Sequence, residues 1–142
     1  MPSDITIHSA NWIEDETFIK SIRFEVFVRE QNVPIDLEID GLDNDCFHVL
    51  AKDLNGKAIG TARMQKDGHI GRIAVLKNFR RKGVGKGLVE FFIKKANTLG
   101  LIEVELNAQT HALDFYEKLG FEKRGEIFTE ADIPHIHMVR PI

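Results

Sequence analysis

Ile73-Ala74-Val75-Leu76 is followed, after Lys77-Asn78-Phe79, by Arg80-Arg81-Lys82-Gly83-Val84-Gly85-Lys86-Gly87 and then by Leu88, Phe92 and Ala96. The first four residues form a short apolar run of the kind a strand shows when both faces are covered. Val84, Leu88, Phe92 and Ala96 fall four apart, with Lys86, Glu90 and Lys94 on another face, so the spacing predicts an amphipathic helix. Between strand and helix lies a glycine-rich turn. The first N–H groups of such a helix point outward with the positive end of its dipole, and basic side chains flank them. A diphosphate is the natural ligand of that arrangement.

Working outward, Ile5-Thr6-Ile7-His8 alternates like a strand, and Phe18, Ile22 and Val26 recur at helical spacing from Ile13 to about Arg29, with Asp15 or Thr17 as the expected cap. Residues 30–45, which hold Pro34 and Gly41, keep no period and read as a long loop or a broken helix. Residues 47–51 and 57–65 read as strands joined at Asn55-Gly56, the strongest short hairpin signal, and a turn at Lys66-Asp67-Gly68 leads into a third antiparallel strand over 69–76. Downstream, Gly100 ends the helix. Residues 101–108 form a strand with Ile102, Val104 and Leu106 on one side, residues 112–119 a short helix closed by Gly120, and strands lie near 121–128 and 137–139. The expected architecture is one α+β (α/β layered) domain over residues 1–142, with a mixed, mainly antiparallel central sheet flanked by helices.

The chain has 142 residues, 43% hydrophobic and 29% charged, which suits one globular core. Its formal net charge of -3 disfavours a broadly electrostatic nucleic-acid binder. That charge is uneven. Residues 77–95 carry +6, leaving -9 elsewhere, with Asp36, Glu38, Asp40, Asp43 and Asp45 the densest acidic part. Two opposed runs suggest two differently charged ligands. The lone Cys46 reads as a small buried hydrophobe at a strand start. With no secretory signal pattern and no apolar stretch near ~20 residues, a cytoplasmic location without membrane insertion is expected.

Two nucleotide-binding motifs fail on the letters. A P-loop needs Ser or Thr where Gly87 stands, and Gly where Arg80 stands. A Rossmann turn needs its third glycine one position later than Gly87 and a βαβ unit around it. What fits is R-x-x-G-x-G from Arg80 to Gly85. At these residues the chain resembles the GNAT superfamily of acetyl-CoA-dependent N-acyltransferases. Ala112-Leu113-Asp114-Phe115-Tyr116-Glu117-Lys118-Leu119-Gly120-Phe121 resembles the second signature of that family, A-x-x-F-Y-x-x-x-G-F. The stretch Val26 to Pro34, with the acidic residues after it, is similar to the ElaA/YjcF-like subgroup. Taken singly, the glycines could merely form a tight turn and the Phe-Tyr pair could be core.

The resemblance implies a GNAT fold and acetyl-CoA as cosubstrate. Ile73, Ala74 and Val75 would offer backbone groups to the pantetheine arm like an added strand. The amides from about Arg81 through Lys82, Gly83, Val84, Gly85 and Lys86 to Gly87 would cradle the pyrophosphate, with Arg80, Arg81, Lys82 or Lys86 neutralising phosphate. Gln109 stands where many relatives have Asn, and Ala112 and Phe115 belong to the cofactor wall. Tyr116 is implied as the general acid for the departing thiolate, a role suited to a phenol with a pKa near 10. The amide of Val75 or Leu76 is the candidate oxyanion donor.

For the base, Glu30, Glu38, His48 and His111 are all open, with Glu30 first because it ends the first helix. No metal is expected: an EF-hand reading of residues 36–47 places Phe47 where Glu is needed, and His135 and His137 share a strand face without further ligands at metal spacing. The implied function is transfer of an acetyl group to a primary amine by direct attack in a ternary complex. The acceptor would be a small molecule or peptide, with no nucleic acid or membrane partner, and a homodimer stays open. The acidic loop would draw a cationic amine. A CoA-binding sensor without catalysis is the alternative, and an RNA-associated protein using the 77–95 patch a weaker third.

Overall fold

β1 (Thr6–Ala10) and α1 (Trp12–Arg23) open the computed structural model, which describes residues 4–142. Asn11 caps α1. Its Oδ1 accepts from the amides of Ile13 at 2.9 Å and Glu14 at 3.2 Å, and the Asp15 carboxylate reaches back to the Asn11 amide at 2.9 Å. The expected cap at Asp15 or Thr17 is thus corrected: an Asn four residues ahead of an Asp can satisfy donors on both sides of the helix start. The helix does not run evenly to Arg29. It widens into a π-helical segment, Phe24–Glu30, and the buried set is Ile19, Ile22 and Val26, with Phe18 half exposed.

The connection beyond it contains α2 (Ile35–Glu38) and a 3₁₀ turn at Asp43–Asp45. There follow β2 (Phe47–Lys52), β3 (Ala58–Met64), β4 (Ile70–Val75), α3 (Val84–Thr98), β5 (Glu103–Gln109), α4 (Leu113–Lys118), β6 (Glu122–Glu130) and β7 (Ile133–Pro141). The hairpin turns around Gly56 and Gly68 and the helix over 84–98 stand where the residue patterns place them.

In place of one continuous sheet there are two antiparallel ones, in the orders β1-β2-β3-β4 and β5-β7-β6. Among the described residues they are joined by one parallel bridge, between His69 and Glu105. Gly68 makes that junction. Its φ is +99°, its carbonyl accepts from the Glu105 amide at 3.0 Å, and a Cβ there would stand 2.9 Å from the Glu103 carbonyl oxygen. Beyond the bridge β4 bulges: Thr61 faces Ala74 and Arg63 faces Gly71, so Arg72 and Ile73 oppose one residue, and Arg72 takes φ +50°. The bulge turns β4 away from β5, and a cleft opens between them.

One core lies between the sheets and α3, where Val84, Leu88, Phe92 and Ala96 are all buried with Val104, Leu106 and Met138. On the other face of the first sheet, Ile19 and Ile22 of α1 and Val26 of the π-helical segment pack on Leu50 and Ala74. Ile102, expected on the apolar side of β5, is 80% exposed because the strand starts only at Glu103, two residues later than expected, and Ala108 takes the third inward position. The run at 73–76 is not covered on both faces. Only Ala74 is buried there, since Ile73 and Val75 border the cleft. Cys46 is half-buried just before β2, where burial pushes its thiol up. No helix of the described residues is long and apolar enough to cross a membrane.

Candidate active site

The cleft between the diverging sheets encloses about 860 Å³. One wall is the start of α3. Gly83 caps it in a left-handed conformation, φ +84° and ψ +6°, after Arg81 at φ +63°. No side chain caps this end. The first rung of the helix is Gly87 N–H to the Gly83 carbonyl at 3.0 Å. The Gly87 amide is therefore spent inside the helix, and the donors free to meet an anion are those up to Lys86. Arg81, Gly83, Val84, Gly85 and Lys86 line the cleft. Lys82 does not, and its ammonium lies over the Phe79 ring at 5.7 Å.

The second wall is the free edge of β4. Ala74 faces Thr61 in the ladder and the Leu76 amide donates to the Ile59 carbonyl at 2.9 Å. By the alternation of antiparallel pairing, the backbone groups of Ile73 and Val75 turn to the open side. Leu76, one of the two oxyanion donors expected, has its amide committed to the sheet, which leaves Val75. The Val75 carbonyl already receives Arg80 Nε at 2.8 Å.

The third wall comes from β5 and α4. Tyr116 is buried, packed edge-on against Phe115 and Phe121. Its hydroxyl has no hydrogen-bond partner within the described protein, yet is not sealed off, and the residue borders the cleft. Burial pushes its pKa up to about 12, so at neutral pH it is a proton donor. Phe115 and Ala112 border the same space, and the Phe115 ring lies where a Cβ on Gly85 would come within 3.4 Å. Gln109 is there too, its amide donating to Gln31 Oε1 at 3.0 Å, which ties the end of β5 to the connection after the π-helical segment.

The four base candidates separate on geometry. Glu30 is held by both terminal nitrogens of Arg80, at 2.8 and 3.0 Å, and does not border the cleft. Glu38 borders it but is buried in an ion pair with Arg23 and lies 3.8 Å from Arg72 Nε. His48 belongs to a different hollow, stacked on Trp12, with Nε2 donating to the Asp43 carbonyl at 2.8 Å, and burial lowers its pKa. His111 borders the cleft with an exposed ring.

The acidic loop is not the free cation trap its composition suggests. Asp43 receives Arg23 at 2.7 Å and Arg63 at 2.9 Å; Asp40 receives Arg63 and, at 3.2 Å, Arg72. Burial works against ionising either carboxyl, but these guanidiniums outweigh it and hold both below the usual carboxylate range. Three acids thus meet three arginines. Residue spacing carried no signal for this, since the partners lie 15 to 34 positions apart.

Two further histidines border the cleft, His135, which the strand-face pattern had singled out, and His69, which it had not. His69 Nδ1 lies 3.2 Å from Glu105 Oε1, and His135 is buried on β7 with Nδ1 2.7 Å from the Ile133 carbonyl. Among the described residues no three His, Cys, Asp or Glu side chains group as metal ligands.

Against known proteins, the Acetyltransferase (GNAT) domain matches residues 15–141. The uncharacterized N-acetyltransferase YjcF of Bacillus subtilis is 42% identical over 123 residues, covering 84% of this chain and 87% of that one. A crystal structure of an acyl-CoA N-acyltransferase from Pseudomonas aeruginosa superposes with a TM-score of 0.83 at 33% identity, over 96% of this chain and 98% of the other. That of Escherichia coli ElaA gives 0.84 at 30% identity, over 96% and 99%. A glycine-capped helix start, an open bulged strand edge and a buried tyrosine around one cleft, together with these likenesses, make the chain an acyltransferase that belongs to the GNAT acetyltransferase family.

Proposed function

We propose that the protein moves an acetyl group from acetyl-CoA to a primary amine by direct transfer within a ternary complex. The observation that carries this reading is the convergence of three features on one cleft. They are the uncapped amides of α3, the outward backbone of Ile73 and Val75, and a hydroxyl on Tyr116 that has no other partner within the described protein. The residues fit the cosubstrate: a helix start with free donors suits a pyrophosphate, and an unpaired strand edge suits a pantetheine arm. Arg81 and Lys86 stand beside those donors as counter-charges. Acetyl-CoA supplies an acyl thioester.

Each residue then has a role that follows from its place. Ile73 and Val75 hold the arm in register with β4. The Val75 amide faces the side on which charge would develop at the carbonyl oxygen. Tyr116, kept protonated by burial, gives its proton to the leaving sulfur and is restored by the proton that the attacking nitrogen loses as the amide forms, so that amine and thioester give amide and thiol. Arg80 must release the Val75 carbonyl for the arm to pair there, and Glu30 keeps its guanidinium at the rim. Glu30 serves as that anchor and not as the base.

The test is thiol release from acetyl-CoA across an amine panel, beside calorimetric binding of acetyl-CoA. Acceptor-dependent release is expected. Tight binding with no release for any amine would replace this reading with a non-catalytic sensor.

A further inference from the structure

Part of the cleft lining has a composition of its own. Leu37 and Leu42, from the connection after the π-helical segment, are 54% and 42% exposed and border it together with Ile133 of β7. The carboxylates of Glu38 and Asp40, which border it too, are neutralised by Arg23, Arg63 and Arg72. They contribute no net attraction for a polycation. Among the described residues bordering the cleft, Glu130 is the carboxylate with no arginine or lysine on it.

Beside Glu130 sits His135. Its Nδ1 faces the Ile133 carbonyl, an acceptor, so Nδ1 carries the hydrogen, and in the neutral ring Nε2 is the nitrogen with the lone pair. Nε2 lies 3.8 Å from Glu130 Oε2, and the ring is fixed by stacking on Phe128, centroids 5.8 Å apart. One carboxylate and one imidazole lone pair form a receptor for a single ammonium or amine nitrogen. The leucines and Ile133 form a surface that gains from covering apolar area.

We propose that the acceptor is a monoamine with an apolar body, its nitrogen received by His135 and Glu130 and its body laid on Leu37, Leu42 and Ile133. This deepens the acetyl-transfer reading above and rests on it. The acceptor class follows from the cancelled charges and not from the sequence, whose acidic loop pointed only to a cationic amine.

The experiment measures thiol release from acetyl-CoA with 2-phenylethylamine, spermidine and glucosamine, using the full chain and the Leu37→Asp/Leu42→Asp variant, whose changed side chains are exposed and spare the core. Phenylethylamine should exceed the other two in kcat/KM by about tenfold or more. The variant should lose that preference through a higher KM while its affinity for acetyl-CoA stays that of the wild type. A wild-type preference for spermidine or glucosamine, or a preference for phenylethylamine that survives in the variant, overturns the proposal and leaves acetyl transfer standing. If no amine releases thiol, transfer itself fails. Saturation-transfer NMR of phenylethylamine on CoA-loaded protein then decides the site: a wild-type signal that disappears in the variant upholds it, and a signal that persists in the variant or never arises in wild type overturns it.

Discussion

Tyr116→Phe separates a catalytic hydroxyl from a structural one. The Tyr116 ring is buried and packs edge-on against Phe115 at 4.9 Å and Phe121 at 5.9 Å, an arrangement a phenylalanine keeps. The hydroxyl makes no hydrogen bond within the described protein, so its loss orphans no partner. Stability should therefore change by less than about 1 kcal/mol, the net worth of a hydrogen bond that is not made. Turnover should fall about 10²- to 10⁴-fold, the range for a positioned general acid, with acetyl-CoA affinity within about twofold. A second readout uses the proton directly. The pKa of about 12 in the folded protein exceeds the ordinary tyrosine value near 10, so the folded state holds this proton more tightly than the unfolded one. That contribution is fully present below about pH 10 and is lost as pH rises towards 12. The loss is on the order of 3 kcal/mol and should be absent in the variant. Steady-state thiol release, calorimetric titration with acetyl-CoA and urea unfolding at pH 8, 10 and 11.5 measure all three. Wild-type turnover in the variant, or equal losses of turnover and cofactor affinity, would refute the acid assignment.

Other changes test the surrounding geometry. Glu30→Gln should leave the pH profile of kcat unchanged and shift acetyl-CoA affinity severalfold at most, because its carboxylate does not border the cleft and is spent on the Arg80 guanidinium; a hundredfold loss of kcat with a vanished acidic limb would make Glu30 the base after all. Gly83→Ala forces a side chain into φ +84° and should cost about 1–2 kcal/mol in urea unfolding, with weaker acetyl-CoA binding as the α3 amides turn. Unchanged stability and affinity would show that the left-handed cap is dispensable. Arg63→Ala strips a buried partner from both Asp40 and Asp43 and should cost about 3–5 kcal/mol. Since both carboxyls titrate below their ordinary range, the stability they confer is present above about pH 4 and lost on further acidification. Acid unfolding of Arg63→Ala should accordingly show a shallower pH slope, and a slope equal to wild type would count against the pairing.

What the residues announced and what they hid divide along the length of the interactions. The turn at Gly83, the helix over 84–98, the hairpin at Gly56 and the placement of Tyr116 depend on neighbours within a few positions, and local periodicity and glycine placement mark such features well. The split of the sheet depends on the close approach of Gly68 to Glu103, and on a bulge that no residue type compels. The charge of the acidic loop depends on Arg23, Arg63 and Arg72 folding onto Glu38, Asp40 and Asp43 from three separate elements. Composition counted five acids in ten residues and read an attraction; the fold consumes three of them before any ligand arrives. Charge at a site is a property of pairs, and pairs at a distance of 15 to 34 residues leave no trace in spacing. The basic stretch at 77–95 escapes this cancellation in part. Arg80 is paired, but Arg81 and Lys86 border the cleft with no acid of the described residues paired to them, beside donors that no side chain caps. An anion is therefore still called for there, whereas elsewhere in the cleft lining the fold replaces a field of charge with one carboxylate, one imidazole and an apolar wall.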